Sequence, residues 1–139
     1  MLLHIVARGK IGGSPEAELV ERYLKRIAWP SKVTELGERT PLQPLPANCI
    51  SIVLDERGPA LSSTDLARKL EGWRDAGKRE VRFLIGGADG HTEAERTNAD
   101  LLLSFGPATW PHLLVRAMLA EQLFRATSIL ANHPYHRDG

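Results

Sequence analysis

The chain has little of what several large protein classes are built on. Cys49 is the single cysteine in 139 residues, so an internal disulfide is excluded and a cysteine-based zinc site cannot be assembled. No apolar run approaches the eighteen or so residues that a membrane helix requires. The apolar start MLLHIVARG has no basic stretch ahead of it and is too brief for a secretory signal. These features lead us to expect a cytoplasmic protein with no membrane partner. An excess of one charge is also missing: 18 Lys and Arg against 17 Asp and Glu leave a formal net charge of +1. A nucleic acid would therefore have to meet a local basic patch, or one assembled from two subunits, rather than a globally basic surface. Nucleotide signatures fail too. GKIGGS does not end in the GKS or GKT of a phosphate loop, and GGADG is not G-x-G-x-x-G and follows a late strand.

What is present alternates between two periodicities, and its length suits one domain over residues 1–139. Leu2 to Ala7 is a short strand-like run, followed by the turn RGKIGGSP. In that turn Ser14 caps a helix with Pro15 at its first position, and Val20, Tyr23, Leu24 and Ile27 recur at helical spacing. KVTEL (32–36) is a second strand. GERTPLQPLPAN then reads as a loop, because its prolines lack the N–H that a helix needs. CISIVLD (49–55) has the β-branched character of a buried strand. Ser62 opens a helix running to about Ala76 with Gly77 as its stop, and EVRFLIG leads into the loop GGADGH. Thr92 and Glu95 form a capping box, DLLLSF (100–105) reads as a further strand, and GPATWPH feeds a last helix from about His112 to Leu130. Strands alternating with helices predict an α/β domain, with a mainly parallel sheet of about five strands and helices on both faces. Ligands of such sheets bind beyond the carboxyl ends of the strands. This directs attention to the loops after Leu54, Ile85 and Phe105.

The last helix is apolar nearly all round, from Leu113 through Phe124. Such a helix must be covered on both sides, and in a short chain a second copy of the protein can supply one cover, which predicts a homodimer; a central helix buried within the monomer is the alternative. The chain then ends NHPYHRDG, with four reactive side chains in a row of five: His133, Tyr135, His136 and Arg137. An aromatic ring beside His and Arg suits recognition of a base, with the ring stacking and the guanidinium meeting phosphate or carbonyl oxygens. The same residues also suit a tail that merely packs on the core. A metal hydrolase is a further reading, and it would have to recruit His91, His112 or Asp138 to complete a ligand set. Arg125 has a simple helical explanation, as the i, i+4 partner of Glu121.

Three motifs in order, FLIGGADG, then ATWPHLLVRAMLAEQLFRA, then NHPYHR, closely resemble the RlmH (YbeA) family of SPOUT methyltransferases. The resemblance runs over essentially the whole chain and is most specific from Phe83 to Asp138. It implies a fold that periodicity does not reveal, the SPOUT or α/β knot, in which a deep C-terminal trefoil knot occupies roughly residues 81–139; such knots are exceptions among protein folds. It implies a homodimer joined at the knots. It also implies S-adenosylmethionine-dependent methylation of N3 of a pseudouridine in helix 69 of 23S rRNA, with the assembled ribosome as partner and no metal. The donor-binding residues implied are Leu54, then Gly86 and Gly87, then Gly106, Pro107, Ala108, Thr109, Trp110 and Pro111. Catalysis falls to the tail. There Arg137 stabilises the base anion, His133 or His136 accepts its proton or binds phosphate, and Tyr135 stacks on the base or shapes the pocket. His112, Arg116 and Arg125 are expected to hold the donor carboxylate or the RNA. A non-catalytic RNA- or ribosome-binding module of the same fold is the alternative.

Overall fold

The computed structural model describes residues 1–137, so the candidate ligand Asp138 lies outside the described residues. Five strands, β1 (Leu2–Arg8), β2 (Ser31–Leu36), β3 (Cys49–Leu54), β4 (Glu80–Ile85) and β5 (Leu101–Leu103), form one sheet in the order β2-β1-β4-β3-β5. Every neighbouring pair is parallel. All five carboxyl ends therefore leave the sheet at one edge, and the loops after β3, β4 and β5 meet there.

Four helices connect and cover the strands: α1 (Pro15–Arg26), α2 (Ser63–Asp75), α3 (Glu93–Thr97) and α4 (His112–Leu130). Their starts follow from local chemistry. Ser14 and Ser62 accept the backbone N–H of Ala17 and Asp65 on their hydroxyls, at 3.2 and 3.0 Å. Thr92 and Glu95 complete a reciprocal capping box at 3.1 and 2.8 Å, which satisfies two donors that a helix start otherwise leaves unpaired. Gly77, at φ +79°, ends α2 in the left-handed conformation that glycine adopts without penalty.

Alternation along the strands sorts the core into two layers. Leu3, Ile5, Ile52, Val81 and Phe83 face the large helical layer and are wholly buried with Leu70, Leu119 and Leu123. Val6, Val53 and Leu84 face the other way, against Leu36, Leu42 and Leu102. Helices thus lie on both faces, but unevenly. The single turn of α3 cannot cover the second face, and the proline-rich stretch 37–48 does so instead. Two buried arginines hold it. Arg8 donates to the carbonyls of Gly37 and Thr40 at 3.0 and 2.6 Å and to the Glu95 carboxylate at 3.1 Å, and Arg82 donates to the Gln43 carbonyl at 2.7 Å.

The sequence places a strand over 100–105, whereas β5 keeps only Leu101–Leu103. After Leu103 the partner changes: the Ser104 amide bonds the Pro59 carbonyl at 3.1 Å, and its hydroxyl bonds the Gly58 carbonyl at 2.8 Å. A Cβ on Gly58 would sit 2.6 Å from the Leu102 backbone carbon, so only glycine permits this approach. α4 packs on α1 through Ala117 and Ala120 against Val20, and on α2, where the Ser63 hydroxyl bonds Gln122 at 2.7 Å. Its remaining apolar side chains, Leu113, Leu114 and Met118, are half-buried and join none of the core clusters.

Candidate active site

A cavity of about 300 Å³ opens at the carboxyl edge of the sheet. Three loops and the first turn of α4 build it: Leu54 to Arg57 after β3, Gly86 to His91 after β4, Ser104 to Trp110 after β5, then His112 and Val115. Of the residues expected from sequence, Leu54, Gly86, Gly87, Gly106, Ala108, Thr109, Trp110 and His112 come together here. Pro107 and Pro111 are exposed and do not line it.

The glycines are explained by geometry. A Cβ on Gly86 would lie 3.0 Å from the Gly90 carbonyl, a backbone atom that cannot move aside. Gly90 and Gly106 have φ of +72° and +97°, where side-chain-bearing residues are strained. The tight turn leaves one wall of the cavity without side chains, so a flat ligand can approach the backbone itself.

Three polar ties fix the walls. His91, whose side chain is 4% exposed, bonds through Nε2 to the Leu54 carbonyl at 2.7 Å. A carbonyl only accepts, so Nε2 carries the proton. Its Nδ1 is buried without a hydrogen-bond partner among the described residues, 4.0 Å from the Glu95 carboxylate. Burial alone would push the Asp55 carboxyl up; the Arg57 amide and the Arg96 guanidinium, 2.7 Å away, outweigh it and hold the group below the usual carboxylate range. Glu95 behaves alike: burial opposes ionisation, while the Thr92 amide and Arg8 prevail and lower it. At the mouth the Thr109 hydroxyl donates to Glu56 at 2.6 Å, joining the loops after β3 and β5.

Other expected site residues lie elsewhere. Arg116 is 2% exposed and turns away from the cavity, to the Glu35 carboxylate and to the Gly9 carbonyl at 3.2 Å. That ion pair and the Ile11 amide hold Glu35 below its usual range. Within the chain, Arg116 is thus an anchor between α4, β2 and the loop after β1, and not a lining residue. The tail sits at the other end of α4, which over 19 residues is about 28 Å long. Tyr135 packs edge-on to Phe124, centroids 4.5 Å apart, with the Arg125 and Arg26 guanidinium groups 4.8 and 5.4 Å from its ring. Burial, then Tyr23 and Glu121, push the Tyr135 phenol up to about 12. Arg125 bonds Glu121 at 2.8 Å and lies 3.1 Å from His136 Nδ1. His133 and Arg137 are exposed. Within one chain the length of α4 separates His112 from His133 and His136, so these histidines do not meet as metal ligands.

Sequence reasoning missed the supporting residues Asp55, Glu56 and Arg96, and it named His91 only as a metal ligand. The signal available for His91 was its place immediately after a glycine turn at a strand end.

A parallel sheet with a glycine-walled cavity at its carboxyl edge, closed by a loop that runs into a long apolar helix, defines a class. The family model described as "Predicted SPOUT methyltransferase" matches residues 1–136, and the chain belongs to that family. Among curated relatives, the ribosomal RNA large subunit methyltransferase H of Rhizorhabdus wittichii is 64% identical over 142 residues, covering 100% of both chains. Its namesakes from Novosphingobium aromaticivorans and Paramagnetospirillum magneticum are 64% and 48% identical, the first covering 100% and the second 99% of both chains. Two solved structures share the fold at 12% identity. A "probable methylase family protein" from Haemophilus influenzae has a TM-score of 0.60, over 98% of this chain and 70% of that one. A "probable methyltransferase" from Bordetella pertussis has a TM-score of 0.56, over 91% and 95%.

Proposed function

We propose that the chain, acting as one knotted domain, methylates N3 of a pseudouridine in helix 69 of large-subunit ribosomal RNA, with S-adenosylmethionine as donor. The observation that carries this is the convergence of Leu54, the Gly86–Gly87 turn and the 106–110 loop on one cavity, in a chain whose full-length relatives bear the name of a large-subunit rRNA methyltransferase. The side-chain-free wall suits an adenine, and the ionised Asp55 and the Glu56 carboxylate suit a ribose and a cationic group.

The donor supplies an electrophilic methyl group on sulfonium, ready for in-line displacement. Much of the catalysis left to the protein is alignment, because holding two reactants in a near-attack geometry removes most of the entropic cost of their meeting. The loops tied by His91 and by Thr109–Glu56 provide a rigid frame for it. The other need is to stabilise the N3 anion. A uracil-type imide ionises well above neutral pH, so a nearby guanidinium aids the reaction more than a strong base does. Arg137 has this role, His133 or His136 takes the proton or a phosphate, and Tyr135 shapes the pocket.

These residues reach a donor cavity only across a subunit boundary. Leu114, Met118, Glu121 and Arg125 recur along one face of α4, and two copies paired through that face run antiparallel when their two-fold axis stands perpendicular to the helix, the arrangement proposed here. One protomer's tail then lies beside its partner's His112, where Arg125 of the first can meet RNA. Lining the cavity falls to His112; Arg116 holds the helix and the loop after β1 in place. The test is methylation in vitro of large ribosomal subunits from a strain lacking this enzyme. Methyl transfer to helix 69 is expected from S-adenosylmethionine, and its absence under conditions where the donor binds would favour the non-catalytic binding module.

A further inference from the structure

We propose that Trp110, which the family resemblance assigns to the donor, is instead the platform on which the target base stacks, an inference that rests on the methyltransferase reading above. Trp110 is 42% exposed, the one exposed large hydrophobic side chain among the described residues. Rings of that size are ordinarily mostly buried. Its position is fixed rather than loose: the indole N–H donates to the Phe105 carbonyl at 3.3 Å, and its neighbour Thr109 is tied to Glu56 at 2.6 Å. A ring held in this way loses little conformational freedom when a ligand settles on it.

The cavity divides by chemistry. Its inner wall is glycine backbone with buried Leu54 and Ile85, while Trp110 stands at the rim beside the exposed Thr109. The inner part accommodates the donor, and the rim faces the second reactant. A base whose N3 is to be alkylated must leave its own stack, and an aromatic face outside the duplex replaces part of what it loses. Charge supports the same assignment. A formal net charge of +1 gives weak general attraction to phosphate, which leaves contacts to the base a larger share of the affinity.

The experiment compares Trp110→Ala and Trp110→Phe with the native chain. It measures S-adenosylmethionine affinity by calorimetry, methylation of large subunits from the deletion strain, and oligomeric state by sedimentation. Trp110→Ala should raise KM for the subunits about 5- to 100-fold, with donor affinity and oligomeric state unchanged, and Trp110→Phe should recover most of the loss. Weakened donor binding with unchanged subunit KM would place the ring on the donor, and an altered oligomeric state would place it at the subunit seam. Either overturns the proposal. Should Trp110→Ala fail to fold, the fluorescence of Trp110 in a Trp29→Phe, Trp73→Phe background decides: quenching by a pseudouridine-containing helix 69 hairpin supports stacking, and quenching by S-adenosylmethionine alone contradicts it. A native chain that neither binds the donor nor methylates the subunits would instead reject the underlying function.

Discussion

The His91 imidazole donates through Nε2 to the carbonyl of Leu54 at 2.7 Å, and this bond ties the glycine turn after β4 to the end of β3. Both groups border the cavity, and both are buried. Removing the donor leaves a carbonyl without its partner, at a cost of about 1–3 kcal/mol. His91→Leu should lower stability by that amount in urea denaturation and weaken S-adenosylmethionine binding about 5- to 10-fold. His91→Gln, which keeps an N–H donor, should restore part of both.

Arg116 and Glu35 form an asymmetric pair, with side chains 2% and 37% exposed. Glu35→Ala strands a buried guanidinium, which costs about 3 kcal/mol or more. Arg116→Met leaves a carboxylate that water reaches and an apolar chain that fills the space, so its cost should be about 1–2 kcal/mol. Denaturation of the two variants checks the order. A larger loss for Arg116→Met would contradict the burial argument.

Acid should destabilise the fold in a defined direction. Asp55, Glu95 and Glu35 are all held below the usual carboxylate range. A group with a lowered folded-state pKa stabilises the protein above its unfolded value and loses that contribution as pH falls through the folded one. Melting temperature should therefore be insensitive to these groups above about pH 5 and fall below about pH 4. Glu95→Gln should flatten that fall. A contribution from these groups that grew on acidification would have the wrong sign.

Complementation tests whether the site is shared between two subunits, as proposed. Arg137→Ala removes the tail's guanidinium, and Gly86→Val disrupts the turn that walls the donor cavity, because even a Cβ would be 3.0 Å from the Gly90 backbone. Each homodimer should be inactive. In an equal mixture of refolded or co-expressed chains, half the dimers carry one intact site of two, so about a quarter of native activity should return. No recovery would place the tail over its own chain's cavity, against the length of α4.

Much of the fold was legible because its signals are local. Ser14, Ser62 and the Thr92–Glu95 pair announce helix starts through chemistry confined to one turn, and the β-branched run at Ile50 to Val53 announces a strand buried on both faces. The glycine turn and, in the loop after β5, Gly106, Ala108, Thr109 and Trp110 were legible as cavity walls through the family motifs, whereas Pro107 and Pro111 of the same motif do not line the cavity. What was not legible depends on contacts distant in sequence. The end of β5 is set by Ser104 turning to Gly58 and Pro59. Arg116 reads as a ligand-facing cation until folding brings Glu35, 81 positions away, beside it. Stretch 37–48 reads only as a proline-rich loop, and its role as the cover of the second sheet face comes from Arg8 and Arg82.

The central claim is methylation of one base, and mass spectrometry of helix 69 from a strain deleted for this chain tests it most directly. The pseudouridine there should have lost a single methyl group, which the native chain should restore and Gly86→Val should not. An unchanged methylated pseudouridine in the deletion strain would contradict it.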